Sequence, residues 1–252
     1  MLSEPTLDQL RERGLTGMLE ALLELRNNPI TPSLSHEEWL GILLEREVTR
    51  RANKSTETRV RAAKLRQQAA IEDVNYRTER GLDRSLFLRL GSNQWIRDRS
   101  SLIITGPCGV GKSFLACALG NKACRENISV FYQRCHRLFA DLGMARLDGG
   151  YARKFKSLIS VKLLILDDFG PEQLTTEQRR DLLEIIEARH GTAATLITSQ
   201  LPIDRWHDVI GCPTVADAIL DRLVHTAHRI HLKGESLRRC ALQPTKPPTE
   251  SA

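Results

Sequence analysis

Long apolar runs are missing from this chain of 252 residues. The longest, Phe114–Leu119, has six residues, against the ~18 that a membrane-spanning helix needs. The start, Met1-Leu-Ser-Glu-Pro-Thr, carries no basic segment followed by an apolar stretch, so neither membrane insertion nor secretion is expected and a cytoplasmic protein is. Aromatics make up only 5% of the chain, which gives little support to the base-stacking platforms that grip single-stranded nucleic acid. The six cysteines form no Cys-x-x-Cys pair and no regular ladder; they read as free thiols of a reducing compartment. No helix-turn-helix or zinc-finger pattern is readable, so base-specific recognition is not expected. His225, His228 and His231 fall where a helix gives way to a strand, and the three are not expected to converge on a metal.

What the chain does have is local positive charge. Lys and Arg number 37 against 31 Asp and Glu, a net of +6. The segment 46–66 alone holds Arg46, Arg50, Arg51, Lys54, Arg59, Arg61, Lys64 and Arg66 against Glu47 and Glu57, so the whole excess is concentrated there. A second cluster, Arg134, Arg137, Arg146, Arg153, Lys154 and Lys156, faces only Asp141 and Asp148 in the sequence around it. Excess that is localised points to a polyanion partner, and both clusters are candidates for contact with a phosphate backbone. A solvated helix face is the competing reading of the first.

Three zones follow one another. Residues 1–75 show helical spacing and no strand pattern: Leu7, Leu10, Leu15, Met18, Leu19, Leu22 and Leu23, then a stop at Asn27-Asn28-Pro29. Ser35 followed by Glu38 is a capping-box pair, and the helix it starts is expected to bury Leu40, Leu43, Leu44 and Val48. Residues 76–242 switch to short apolar strands between helical stretches, with strands expected at 101–105, 128–132, 163–166, 194–198 and 229–232. The fold class is therefore α/β: a parallel sheet flanked by helices, preceded by an all-helical N-terminal domain. Residues 243–252, with Pro244, Pro247 and Pro248 among small polar neighbours, are expected to be a disordered tail.

One motif dominates the second zone. Gly106-Pro107-Cys108-Gly109-Val110-Gly111-Lys112-Ser113 matches G-x-x-x-x-G-K-[ST] between an apolar strand and a helical run beginning at Phe114. The glycines let successive N–H groups curl around a phosphate, and the new helix adds the positive end of its dipole. Lys112 is placed to neutralise the outer phosphates and the Ser113 hydroxyl to hold Mg²⁺. Further on, Leu163-Leu-Ile-Leu-Asp167-Asp168 is an apolar strand ending in two carboxylates. Asp167 suits a Mg²⁺ ligand through water, and Asp168 suits the group that orients or deprotonates an attacking water. Ser199 and Gln200 end the next strand, where they either position water and report on the γ-phosphate or merely cap a loop.

These motifs resemble an AAA+ ATPase of the IstB/DnaC branch, and more specifically the IstB type that assists insertion-sequence transposases. The resemblance is carried by 106–120, by the Asp-Asp-Phe-Gly of 167–170, by Thr198-Ser-Gln-Leu-Pro202 with Trp206-His207, by Ala216-Asp-Ala-Ile-Leu-Asp-Arg222, and by Leu232-Lys-Gly-Glu-Ser-Leu-Arg238. It implies ATP and Mg²⁺ as ligands, ATP hydrolysis, and a homo-oligomer with nucleotide at each subunit seam. It implies that Arg222 acts in trans as an arginine finger and that Arg238 resembles a second sensor arginine, although too few residues follow for a full C-terminal lid. Duplex DNA without sequence preference and a transposase of the IstA type are the implied partners. A replicative helicase loader of the DnaC type is the alternative, and a small-molecule kinase on the same phosphate loop is a third class.

Overall fold

The computed structural model describes residues 3–27, 34–225 and 227–237. Arg238 and the expected tail lie outside the described residues. The chain divides into two compact units, Met1–Thr58 and Arg59–Ala252.

The first unit is built from α1 (Ser3–Glu12), α2 (Thr16–Arg26) and most of α3 (His36–Ala63). The leucine spacing is interrupted by Gly14, whose φ of +68° takes the left-handed conformation that ends a helix. Ser35 and Glu38 form the expected reciprocal cap: the Glu38 N–H donates to Ser35 Oγ at 3.2 Å and the Ser35 N–H to Glu38 Oε2 at 2.8 Å. The buried face of α3 differs from the expected one. Leu43 is buried, but Leu40, Leu44 and Val48 are 52%, 49% and 66% exposed. The line turned inward is Leu43–Glu47, because the Glu47 carboxylate accepts hydrogen bonds from the orphan N–H groups of Gly17 (2.7 Å) and Met18 (3.2 Å) at the start of α2. A polar side chain thus decides which helix face is buried, and apolar spacing does not reveal that.

The second unit begins earlier than position 76. Residues 59–75 pack into its core through Ala63, Ala69 and Val74, with Leu65 and Ile71 against it, and Arg59 Nε donates to the Cys124 carbonyl at 3.1 Å. These contacts are too sparse in sequence to show which core they join. After α4 (Arg84–Leu90) and α5 (Gln94–Arg97) come β1 (Leu102–Thr105), α6 (Lys112–Arg125), β2 (Val130–Arg134), α7 (Cys135–Leu147), α8 (Tyr151–Ile159), β3 (Leu163–Phe169), α9 (Thr176–Arg189), β4 (Ala194–Ser199), α10 (Trp206–Ile210), α11 (Pro213–Val224) and β5 (His228–His231).

Among the described residues the strands form one parallel sheet in the order β2-β3-β4-β1-β5. Both faces are covered, as the unbroken apolar runs that open β1, β2 and β3 require. Leu102, Ile104, Leu163, Ile165 and Leu196 face the core that contains α6, while Ile103, Leu164, Leu166 and Ile197 face the core of α7, α9 and α11. Helix α6 is buried on most of its surface, and Gly120 lets it approach β3: a Cβ there would meet Ile165 Cδ1 at 2.9 Å. The chain leaves β1 for the far edge at β2 and returns through β3 to β4, so the carboxyl ends of β3, β4 and β1 stand side by side at a switch in strand order. Open α/β sheets place ligands there.

The Glu47 carboxylate gives a pH-dependent prediction. Burial opposes its charge, but the Arg51 guanidinium at 2.6 Å and the two backbone N–H groups outweigh that and hold its pKa below the ordinary carboxylate value. A depressed folded pKa stabilises fully above the unfolded value of about 4.3 and is lost as pH falls through the folded one. Urea unfolding followed by helical circular dichroism should therefore show Glu47→Gln less stable than wild type at pH 7 by about 1–3 kcal/mol. The gap should narrow below pH 4, and equal stability at pH 7 would contradict this role.

Candidate nucleotide site

The loop from Gly106 to Ser113 leaves β1 and enters α6 with Gly106, Gly109 and Gly111 at φ of +149°, +86° and +96°. None of the three has room for a side chain either. A Cβ on Gly106 would meet the Leu232 carbonyl at 2.5 Å, and one on Gly109 would meet Ser236 Oγ at 2.1 Å. The Leu237 N–H donates to the Gly109 carbonyl at 3.1 Å, so the segment after β5 braces the loop. Lys112 is 7% exposed, and its ammonium donates to the carbonyls of Gly106 and Pro107, each at 2.7 Å. Burial lowers its pKa, with Cys108, Asp168 and Asp167 opposing that shift. A buried ammonium on a glycine-rich loop that runs into a helix N-terminus is suited to an anion of high charge.

Asp167 is fully buried, and three hydroxyls converge on it. Ser113 Oγ lies 2.8 Å from Oδ1 and 3.0 Å from Oδ2, Thr198 Oγ1 donates to Oδ1 at 2.6 Å, and Tyr132 Oη donates to Oδ2 at 2.6 Å. Burial, together with the Asp167 carboxylate, pushes the Tyr132 phenol well above its ordinary pKa. The expected strand end is longer than the apolar run: β3 continues through both aspartates to Phe169. A shift of register between Leu166 and Phe169 accompanies a φ of +63° at Asp168. That bulge turns Asp168 into the cavity while Asp167 stays inside. The Asp168 N–H is held by Thr198 Oγ1 at 3.0 Å, and its carboxylate accepts from Gln200 Nε2 at 3.1 Å.

A cavity of about 480 Å³ lies over the loop, lined by Cys108, Gly109, Gly111, Lys112, Ser113, Phe114, Asp168 and Gln200 together with Arg66, Gln67, Arg134 and Leu237. Its oxygen donors, Ser113 Oγ beside a carboxylate, fit Mg²⁺, and its loop fits a polyphosphate. The structure separates the two residues expected at the end of β4. Gln200 lines the cavity, whereas Ser199 is fully buried, donates to the Phe169 carbonyl at 2.7 Å and accepts from the Leu201 N–H at 3.1 Å. Ser199 closes a turn and does not face the cavity. Thr198, one residue earlier, touches both aspartates. A threonine inside an apolar strand was the available signal for it, and Tyr132 gave a similar one on β2.

Arg222 is not at this cavity. It borders a separate space of about 200 Å³ with Ser101 and Thr195, near the opposite ends of β1 and β4. Its guanidinium pairs with Glu187 at 3.0 Å and donates to the Ala218 carbonyl at 2.8 Å. No role within its own subunit's loop follows from that position.

The basic clusters are less bare than the sequence implied. Arg46 pairs with Glu24 (2.6 Å), Arg50 with Glu20 (2.9 Å) and Arg51 with Glu47 (2.6 Å). Glutamates of α2, distant in sequence, thus reduce the excess counted over 46–66. Arg59 bonds the end of α6, and Lys64 lies 5.7 Å from the Phe131 ring centroid. In the second cluster Lys154 pairs with Asp141 at 2.9 Å and Arg146 with Asp181. Among the described residues Lys54, Arg61, Arg137, Arg153 and Lys156 belong to no ion pair. Arg66 and Arg134 border both the nucleotide cavity and a neighbouring one of about 440 Å³ that also takes in Lys64, Arg137 and Lys154. Among the described residues no helix is long and apolar enough to cross a membrane.

Thr198→Val keeps the volume but removes a donor from Asp167 and the acceptor of the Asp168 N–H. It should cost about 1–3 kcal/mol of unfolding free energy, measured by urea titration of the whole chain. A change within about 0.5 kcal/mol, the size of an ordinary surface substitution, would contradict the assigned network.

Comparison with known proteins agrees with this geometry. The family model described as IstB-like ATP binding protein matches residues 8–243. A Sinorhizobium fredii protein named as an insertion sequence ATP-binding protein, y4pL, is 60% identical over 239 residues, covering 95% of this chain and 98% of that one. A Mycobacterium tuberculosis ATP-binding protein in an insertion sequence, Rv3427c, is 32% identical and covers 94% and 95%. Among solved structures, that of DnaI superposes with a TM-score of 0.57 at 22% identity, covering 66% of this chain and 91% of that one. The DnaC helicase loader superposes at 0.50 and 20%, covering 69% and 99%. Those two likenesses bear on the fold alone, the parallel sheet flanked by helices. With its phosphate loop, its buried aspartate and a family match running almost from end to end, the chain belongs to the IstB-like ATP-binding proteins of insertion sequences.

Proposed function

We propose that this protein is a Mg²⁺-dependent ATPase that assembles on duplex DNA with nucleotide at each subunit seam and recruits or stimulates the transposase of its insertion sequence, a protein of the IstA type. The observation that carries the nucleotide half of this reading is the Ser113–Asp167 hydrogen bond, which joins the phosphate loop to the carboxylate of β3 at one point. The family's association with insertion sequences supports the transposition half.

In this reading the N–H groups of the loop and the Lys112 ammonium bind the phosphate chain, and Lys112 exchanges its two carbonyl partners for phosphate oxygens. Ser113 Oγ and Asp167 are the residues that would hold Mg²⁺, which when bound neutralises charge on the phosphates. Asp168, at the cavity wall and held by Gln200, is placed to orient a water and accept its proton. Arg222 would act on the nucleotide of a neighbouring subunit. Leaving Glu187 for that purpose costs little, since a partly exposed ion pair is worth about 0–1 kcal/mol. Sequence-independent DNA contact would fall to cations that form no ion pair among the described residues, Lys54, Arg61, Arg137, Arg153 and Lys156, with Arg66 and Arg134 beside the nucleotide.

Coupling of ATP to DNA is tested by fluorescence anisotropy of a labelled duplex. Wild type should bind with Mg-ATP and weakly with ADP, and Lys112→Ala should bind neither nucleotide nor DNA. DNA affinity that ignores both ATP and the substitution would overturn the coupling. With Mg-ATP present, the affinity should fall with salt at a log–log slope of about −0.9 per phosphate neutralised, and a flat response would remove both clusters as DNA surfaces.

Arg222→Ala should bind ATP as wild type does but lose turnover by about 10³-fold or more. Mixing it with Lys112→Ala should restore part of the rate, because each variant supplies what the other lacks at a shared seam. Full activity in isolated Arg222→Ala protomers would overturn the trans arrangement. Capture of a hexameric helicase in place of a transposase would move the chain to helicase loading.

A further inference from the structure

Behind the phosphate loop lies a charge that neither the fold nor the ion-pair pattern accounts for. Arg80 is 3% exposed. The main chain around it is anchored, since the Lys233 N–H donates to the Arg80 carbonyl at 2.8 Å. From there the side chain runs under the loop: Nη1 donates to the Val110 carbonyl at 3.1 Å and Nη2 to the Asn75 carbonyl at 3.1 Å. A Cβ on Gly111 would come within 2.7 Å of the same Nη1. The guanidinium therefore touches the two residues that precede Lys112 without lining the cavity itself.

Its bonding is incomplete. Nε is buried and has no hydrogen-bond partner, and among the described residues no carboxylate pairs with Arg80. Burial is costly enough to lower its pKa. Arg189, the other deeply buried arginine, makes an instructive contrast. It is 1% exposed, yet its guanidinium is spread over the carbonyls of Leu158, Val161 and Ala194 and the Thr195 hydroxyl, which is what a structural clamp looks like. Among the described residues Arg80 satisfies two carbonyls, and a neutral amide would serve two carbonyls without the desolvation of a charge. A buried cation is retained at such a place when an anion nearby compensates it, and the loop in contact with Arg80 is the one built to hold a polyphosphate.

We propose that Arg80 is a positioning residue for the nucleotide, a second cation behind Lys112 that braces the Val110–Gly111 turn and whose counter-charge is the phosphate chain. It acts through the loop and does not contact the reacting atoms. Its contribution grows with the charge on the ligand, so it favours the triphosphate over the diphosphate. This inference rests on the nucleotide reading of the loop.

The test is calorimetric titration of ATP and ADP, each with Mg²⁺, into wild type, Arg80→Gln and Arg80→Lys. Removing the charge in Arg80→Gln should weaken ATP about tenfold and ADP about threefold, the scale of one charge interacting across a partly buried distance. Arg80→Lys keeps the charge and should bind both within about threefold of wild type, since screening at this depth changes little. Equal losses of ATP and ADP in Arg80→Gln, no loss there, or a loss well beyond threefold in Arg80→Lys would reduce Arg80 to packing and overturn the proposal. Arg80→Met, equally uncharged, takes the place of Arg80→Gln under the same criteria if the latter does not fold. A wild type that binds neither nucleotide would instead remove the nucleotide reading itself.

Discussion

A single buried carboxylate organises the working end of this protein. Asp167 has no exposure to water, and three hydroxyls, from Ser113, Tyr132 and Thr198, are aimed at its carboxyl group. Each hydroxyl comes from a different element: the start of α6, β2 and β4. The hydrogen bonds therefore do more than satisfy an acid. They bring the phosphate loop, the sheet and the strand that presents Gln200 to one place, at the end of the sheet where the strand order reverses. Removing any one donor would leave a buried carboxyl oxygen short of a partner, which is why the network is costly to disturb and specific in geometry.

The parts that were legible in the sequence were those with strong local signatures. Glycines at the loop, a lysine and serine after them, and an apolar strand ending in two aspartates placed the site and the parallel sheet, because those features depend on neighbours close in the chain. The capping box at Ser35 was legible for the same reason. What escaped depends on tertiary partners. Glu20 and Glu24 neutralise arginines of α3 from another helix, and Glu47 turns α3 so that Leu40, Leu44 and Val48 remain exposed. The bulge at Asp168 separates two adjacent aspartates that look equivalent on paper, and Ser199 and Gln200 part in the same way. Thr198, Tyr132 and Arg80 carry polar contacts from positions that read as ordinary strand or linker.

Positive charge has correspondingly different uses along the chain. Arg189 closes the helix and strand ends opposite the nucleotide cavity, Arg46 and Arg50 join helices through ion pairs, and Lys112 and Arg80 converge on the phosphate loop from its two sides. Arg66 and Arg134 stand between the nucleotide cavity and the basic cleft next to it. An anion in either cavity meets the same two guanidinium groups. If DNA binds as proposed, that adjacency would let nucleotide and nucleic acid influence one another without any long-range rearrangement of the sheet.

The central claim is that the Ser113–Asp167 junction is the seat of a metal-bound triphosphate. Calorimetric titration of ATP into the wild-type protein, with Mg²⁺ and then with the metal chelated, addresses it most directly. The account predicts that chelation weakens ATP in wild type, and that Asp167→Asn abolishes this difference while the chain stays folded. Equal affinity with and without Mg²⁺ in wild type, or a metal effect that survives Asp167→Asn unchanged, would contradict it.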